Sequence, residues 1–124
     1  MNKRFVYFNA RPDGEHEEDC VCRAITVATG LKYSTVERLL DMTSAYFGCD
    51  PLFLNCYSRL LEDVFGYRGV NCFHAKTVGD IADMYPNNKV LMRIDGHLTV
   101  AISSFIFDTW DCSDALVDRY WVVE

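Results

Sequence analysis

The sequence predicts an α+β fold in which a helical N-terminal half packs on a C-terminal antiparallel β-sheet. Two observations carry this prediction. Apolar residues recur at helical spacing in several segments between Cys20 and Met84, whereas short runs of β-branched and aromatic residues follow one another from Lys89 onward. The length of 124 residues suits one domain over 1–124.

Four helices are expected in the first half of the chain, at Cys20–Thr29, from Ser34 onward, around Phe53–Phe65 and at Val78–Met84. Asp19 is a candidate N-cap for the first helix, and Thr77 is one for the fourth. Ser34 and Glu37 have the spacing of a capping box at the start of the second helix. Gly30 and Gly66 provide stop signals.

Strands are expected at Arg4–Phe8, Val90–Ile94, His97–Ile102, Phe105–Asp108 and Tyr120–Val123. Asp95-Gly96 is a hairpin turn signal, and Ser103-Ser104 is a weaker one. If Ile102 and Phe105 flank a two-residue turn, Thr99 lies opposite Asp108 and His97 opposite Trp110. His97 and Asp108 then share one face of the sheet as diagonal neighbours.

Composition and charge exclude several classes of protein. Half of the residues are apolar, 14% are aromatic and 24% are charged, which is too apolar for a disordered chain. A net charge of −6 without a basic face argues against a nucleic-acid partner. No secretory leader and no apolar run of membrane-spanning length is recognisable, so we expect a cytoplasmic protein without a membrane partner.

The six cysteines are expected to be reduced in that compartment, which makes disulfides the least expected use. A structural zinc site commonly brings its ligands in close pairs such as C-x2-C. The available pairs have other spacings: Cys20 with Cys22, Cys49 with Cys56, and Cys72 with His74. We therefore expect buried or catalytic thiols, with no metal and no cofactor.

Three residues together suggest a thiol hydrolase. Cys20 stands at a helix start, where the backbone N–H groups and the helix dipole favour the thiolate. His97 can exchange a proton near neutral pH, and Asp108 on the next strand can fix the orientation of its ring.

Simpler interpretations exist for each of these residues. Cys20 could be a small buried apolar residue, and its acidic neighbours at 17–19 disfavour a thiolate, although Arg23 offsets part of that effect. His97 could be an ordinary strand histidine, and Asp108 could begin a turn. Cys22, deeper in the helix, is expected to be a structural thiol.

Two sequence blocks resemble the papain-like cysteine hydrolase superfamily. The first is Asp19-Cys-Val-Cys-Arg-Ala24 with Ala28-Thr-Gly30, and the second is Gly96-His-Leu98 with Phe107-Asp-Thr-Trp-Asp111. They look like blocks of small uncharacterised bacterial and phage proteins, and the resemblance covers about 19–39 and 90–123. It implies a papain-like fold and a thiol protease triad with Cys20 as nucleophile, His97 as general base and acid, and Asp108 orienting His97. Trp110 would shield the pair from water.

One departure from the superfamily concerns the oxyanion hole. Papain-like enzymes place a Gln before the nucleophile, and this sequence contains no Gln. Asn9, eleven positions before Cys20, is the nearest chemical substitute and would act with the Cys20 backbone N–H.

The leading hypothesis is a hydrolase that cleaves an amide or isopeptide bond of a peptide or protein substrate through a thioester, with acyl transfer to an amine as a variant. The alternative is a non-catalytic, acidic phage or bacterial interaction protein that keeps the scaffold and binds and inhibits a host protein. A third possibility is a metal or redox module built on Cys20 and Cys22.

Overall fold

The protein is described here by a computed structural model covering residues 4–15 and 18–123. Its helices are α1 (Cys20–Thr29), α2 (Tyr33–Phe47), α3 (Leu54–Arg59) and α4 (Val78–Met84), and α3 continues into a π-helical turn at Leu60–Val64. Its strands are β1 (Phe5–Tyr7), β2 (Arg68–Asn71), β3 (Lys89–Ile94), β4 (His97–Ile102), β5 (Phe105–Asp108) and β6 (Arg119–Val123). The α+β class is confirmed.

The six strands form one mixed sheet in the order β1-β5-β4-β3-β6-β2. β1 pairs with β5 in parallel, while the other neighbours are antiparallel. The expectation of a purely antiparallel sheet is therefore wrong. The helical N-terminal half is not confirmed either, because β1 precedes the first helix and β2 lies between α3 and α4, and these two strands form the edges of the sheet.

Helices cover both faces of this sheet. The first core lies between one face of the sheet and helices α1, α2 and α3. It includes Ile25, Val36, Leu91, Val100 and Trp121. The second core lies on the opposite face against α4 and includes Ile81, Val90, Met92, Ile106 and Val122. Adjacent residues of β3, such as Val90 and Leu91, belong to different cores because side chains alternate along a strand. The near-continuous burial of β3 and β4 follows from this double cover.

The helix starts show which local signals the fold uses. Thr77 caps α4 in a complete capping box with Asp80, as its position before the helix predicts. The capping box expected at Ser34 is wrong, because α2 begins one residue earlier, at Tyr33, behind Lys32. Asp19 does occupy the N-cap position of α1, but its side chain makes no capping hydrogen bond.

The β4–β5 hairpin has the predicted register. Ile102 pairs with Phe105 and Val100 with Phe107, so the two-residue turn is confirmed. Ser103 and Ser104 adopt φ of 50° and 71°, the left-handed region that this turn requires at both positions. The parity of this hairpin places His97 and Asp108 on the same face of the sheet.

Cys49 and Cys56 form a disulfide, whereas the sequence predicts six reduced cysteines. The bond closes the segment between α2 and α3, and its Cα atoms are 5.5 Å apart. Cys20, Cys22, Cys72 and Cys112 are free thiols. Within the described residues, no helix has the length and apolar character needed to cross a membrane.

Candidate active site

Three side chains from separate elements meet at one end of the sheet. Cys20 is the first residue of α1, His97 the first of β4 and Asp108 the last of β5. The Nε2 atom of His97 lies 2.6 Å from Oδ2 of Asp108. Cys20 and His97 line the same pocket, and the interaction with His97 contributes to lowering the pKa of the Cys20 thiol. The structure thus brings together the three residues that the sequence singled out.

The contact with Asp108 determines which ring nitrogen serves Cys20. Since Nε2 of His97 bonds to the carboxylate, Nδ1 is the nitrogen left for the sulfur. The Asp108 carboxylate is itself held in place, because its Oδ1 accepts a 2.7 Å hydrogen bond from the Thr109 backbone N–H. The Asp108 carboxylate therefore fixes the orientation of the His97 ring from the Nε2 side, as proton transfer from a thiol requires.

The electrostatics favour a thiolate and an imidazolium. Burial opposes ionisation of Cys20, but hydrogen bonds from His97 and the Leu98 backbone N–H, with the positive charges of His97 and Arg23, lower its pKa overall. Burial likewise opposes the charged form of His97, yet the hydrogen bonds to Asp108 and Cys20 raise its pKa to about 9. Burial would raise the pKa of Asp108, and the hydrogen bond to His97 holds that pKa below its usual range.

The other buried thiols lie in environments that keep them protonated. Burial raises the pKa of Cys22 to about 11 and that of Cys112 to about 12. Cys22 Sγ donates to the backbone oxygen of Tyr33 inside the core, which agrees with its expected structural role. Because the thiolate is the reactive form, Cys20 is the thiol that this structure prepares for reaction.

Trp110 lies beside the site but outside the β-ladder, since β5 ends at Asp108. Its ring centroid is 5.1 Å from that of His97, and the two ring planes are tilted by 50°. About half of Trp110 is exposed, whereas the side chain of His97 is 11% exposed, so Trp110 lies on the solvent side of the pair.

Asn9 makes its side-chain hydrogen bonds within the loop that follows β1. Its side-chain N–H donates to the backbone oxygens of Gly14 and Glu15, and its Oδ1 accepts from the Arg11 N–H. These bonds fold the loop after β1 onto itself, as Asn side chains commonly do in turns. The assignment of Asn9 as an oxyanion donor therefore stays a prediction, and in this structure its side-chain N–H groups are bound to the loop.

A groove of about 860 Å³ opens over Cys20 and His97. Its size is that of a ligand-binding cleft. One wall is Trp110, and another is the disulfide-closed segment that carries Leu52 and Phe53, which are 45% and 64% exposed. This wall was not predicted from the sequence, although the pair of apolar residues between Cys49 and Cys56 was an available signal.

A metal ion is conceivable at this site, because donor atoms of His97, Asp108 and Cys112 lie within 4.8 Å of one another. Tetrahedral Zn²⁺ would hold a nitrogen and an oxygen ligand about 3.3 Å apart. The 2.6 Å between Nε2 of His97 and Oδ2 of Asp108 is instead the distance of a strong hydrogen bond. The geometry therefore fits a proton between these two atoms better than a metal ion.

Comparisons with known proteins add no assignment. No family model matches the chain, and neither the curated proteins nor the solved structures contain a significant match. The functional interpretation therefore rests on the residues and geometry described above.

Proposed function

We propose that this protein is a cysteine hydrolase that cleaves an amide or isopeptide bond of a peptide or protein substrate. The observation that carries the proposal is the meeting of the Cys20 thiol with the His97–Asp108 pair on the floor of an open groove. A nucleophile hydrogen-bonded to a base that is oriented by a third group is the arrangement used in nucleophilic catalysis.

In the first half of the reaction, the Cys20 thiolate attacks the carbonyl carbon of the substrate. The carbonyl π electrons move to oxygen and give a tetrahedral oxyanion. When the oxyanion collapses, the C–N bond breaks, the leaving nitrogen takes the proton from His97, and a thioester remains on Cys20. Asp108 stabilises the imidazolium until that proton is transferred.

In the second half, His97 removes a proton from water as the water oxygen attacks the thioester carbon. The C–S bond then breaks, the carboxylic acid leaves, and the proton returns to the Cys20–His97 pair. If an amine replaces water, the same groups transfer the acyl chain and form a new amide bond. The groove is open to solvent, which suits either acceptor.

The start of α1 provides the charge stabilisation that this chemistry needs. Backbone N–H groups in the first turn of a helix have no intrahelical acceptor. The Cys20 backbone N–H is one of these groups, and we assign it as a donor to the oxyanion. The helix dipole acts in the same direction on the thiolate.

A papain-like architecture and a cytoplasmic location belong to this proposal. The order of a cysteine on an early helix, a histidine on a strand and an aspartate on the next strand supports the first. In a reducing cytoplasm the Cys49–Cys56 disulfide would be open to reduction.

Alkylation with iodoacetamide across pH, followed by peptide mapping, tests the proposal. We expect Cys20 to react selectively below pH 7 in the wild type, and His97→Ala to shift its profile towards that of a free thiol near 8.5. Cys22→Ser is the matched control, since removing this buried thiol should leave the profile of Cys20 unchanged. An ordinary or inert Cys20 in the wild type would refute the thiolate–imidazolium pair.

A second candidate function is a non-catalytic protein that binds and inhibits a host protein. The net charge of −6 supports this candidate, because it would attract a basic partner surface. Incubation with peptide and ubiquitin-type isopeptide libraries distinguishes the two. Cleavage or transamidation that disappears in Cys20→Ser supports the enzyme. A folded protein with an unreactive Cys20 and salt-dependent capture of a basic partner supports the binding protein.

A further inference from the structure

Arg23 lies one turn after Cys20 on α1 and contacts residues on both sides of the site. Its Nε is 2.8 Å from Oδ1 of Asp19, the residue that precedes Cys20. Its NH1 group donates to Oγ1 of Thr109 at 3.0 Å and lies 3.9 Å from Oδ1 of Asp108. One guanidinium thus joins the start of α1 to the end of β5.

The ion pair between this guanidinium and Asp19 is poorly exposed to water. The side chain of Arg23 is 12% exposed and that of Asp19 is 11% exposed, so water screens their charges poorly. Asp19 also accepts a 2.6 Å hydrogen bond from the hydroxyl of Tyr33, at the start of α2. The guanidinium of Arg23 forms an ion pair with Asp19 through Nε and donates to Thr109 through NH1, whereas the single ammonium of a lysine cannot reach both partners in that geometry.

The consequence concerns the distance between the nucleophile and its base. Cys20 moves with α1, while the orientation of His97 is set by Asp108 at the end of β5. A small shift of one element relative to the other would break the contact between sulfur and imidazole, and misplacements of this kind are costly in catalysis. Arg23 is the side chain that spans the two elements beside this contact.

We propose that Arg23 is a positioning residue of the site: it fastens the start of α1 to the end of β5 and so holds Cys20 at hydrogen-bonding distance from His97. This rests on the proposed function. Arg23 acts through Asp19, Thr109 and Asp108, and its positive charge additionally favours the thiolate of Cys20.

The test is the pH profile of Cys20 alkylation in Arg23→Met, Arg23→Lys and Thr109→Val. We expect Arg23→Met to slow alkylation at pH 6.5 about tenfold, because the apparent pKa of Cys20 rises when its contact with His97 loosens and the nearby positive charge is lost. Arg23→Lys keeps the positive charge but loses the planar guanidinium. Its alkylation rate should therefore lie between the rates of Arg23→Met and the wild type. Thr109→Val removes the hydrogen bond between Arg23 and Thr109 without removing a buried charge. It should slow the alkylation of Cys20 at low pH, but less than Arg23→Met does.

Arg119→Met is the matched control. Arg119 is also a poorly exposed arginine, at 19%, and its NH2 group is 3.0 Å from Oε2 of Glu62, away from the site. This variant should lower the melting temperature without moving the alkylation profile of Cys20. A purely structural role for Arg23 would give the same pattern as the control, with reduced stability and an unchanged profile.

The outcomes separate the two proposals. If wild-type Cys20 reacts at low pH and the folded Arg23→Lys and Thr109→Val variants keep its profile, the positioning role of Arg23 is refuted while the proposed function stands. If wild-type Cys20 itself reacts as an ordinary thiol, the proposed function is refuted and the positioning role with it. Arg23→Lys and Thr109→Val serve this comparison even if Arg23→Met does not fold.

Discussion

Replacing Asp108 with asparagine isolates the charge that stabilises the His97 imidazolium. The variant keeps the size of the side chain and an oxygen that can face Nε2 of His97, but it removes the negative charge. Asp108 is only 6% exposed, so solvent cannot readily replace that charge. We expect the pKa of His97 to fall, and the reactivity of Cys20 at low pH to fall with it.

The size of the effect follows from the raised pKa of His97. A value of about 9, against an ordinary 6.5, corresponds to about 3 kcal/mol in favour of the imidazolium. Asp108 and Cys20 both contribute to this stabilisation, against the opposing effect of burial. Loss of the Asp108 charge should therefore lower the pKa by at least about one unit. At pH 9 the protonated fraction of His97 would drop from about a half to about a tenth.

The assay is an NMR titration of the imidazole Cε1–H signals between pH 5 and 10. The chain has 3 histidines, and the signal of His97 is identified by its absence in His97→Gln. Asp111→Asn is the matched control, because it removes a carboxylate three positions after Asp108 in the sequence. The Oδ1 atom of Asp111 accepts a hydrogen bond from the Ser113 backbone N–H, so in this variant the pKa of His97 should stay near 9. The reasoning is refuted if wild-type His97 titrates near 6.5, or if Asp108→Asn leaves its pKa unchanged.

Three further predictions concern the groove and the stability of the fold. Phe53→Ala should raise KM for peptide substrates and leave iodoacetamide alkylation of Cys20 unchanged, because Phe53 lines the groove wall; Phe73→Ala, at an 82% exposed position outside the groove, should change neither measurement. Cys49→Ser should lower the free energy of unfolding by about 2 kcal/mol in denaturant titrations without reductant, since it opens a short covalent loop, and equal stability with and without reductant would contradict this. Ser103→Asn should raise the melting temperature by about 2 °C, because asparagine tolerates positive φ better than serine; an unchanged or lower value in calorimetry would argue against a cost at this turn.

The strands that were predicted correctly carry strong local signals. β3, β4, β5 and β6 are rich in β-branched and aromatic residues, and turn residues separate β3, β4 and β5. The two-residue turn at Ser103-Ser104 fixed the parity that places His97 and Asp108 on one face. This part of the site was therefore accessible from spacing alone.

The features that were missed depend on packing between elements, which local sequence patterns do not show. β2 contains Gly69 and has no alternating pattern; it is a strand because it pairs with β6, and a Cβ at Gly69 would lie 2.9 Å from Oε2 of Glu62. Asp19 satisfies the local rule for an N-cap, but its carboxylate is taken by Arg23 and by Tyr33, whose hydroxyl comes from the next helix. The proximity of Cys49 and Cys56 likewise follows from the packing of α2 against α3.

The link between Arg23 and Thr109 joins positions that are 86 residues apart, and it has a consequence for the order in which the chain is synthesised. A ribosome releases α1 with Cys20 long before β4 and β5 exist, since synthesis runs from the N-terminus at about 5–20 residues per second. During those seconds Arg23 is already beside Cys20 on α1, but His97, Asp108 and Thr109 are absent, so we expect Cys20 to react as an ordinary thiol. The nascent chain thus gains its reactive thiolate only after the hairpin that carries Asp108 has emerged.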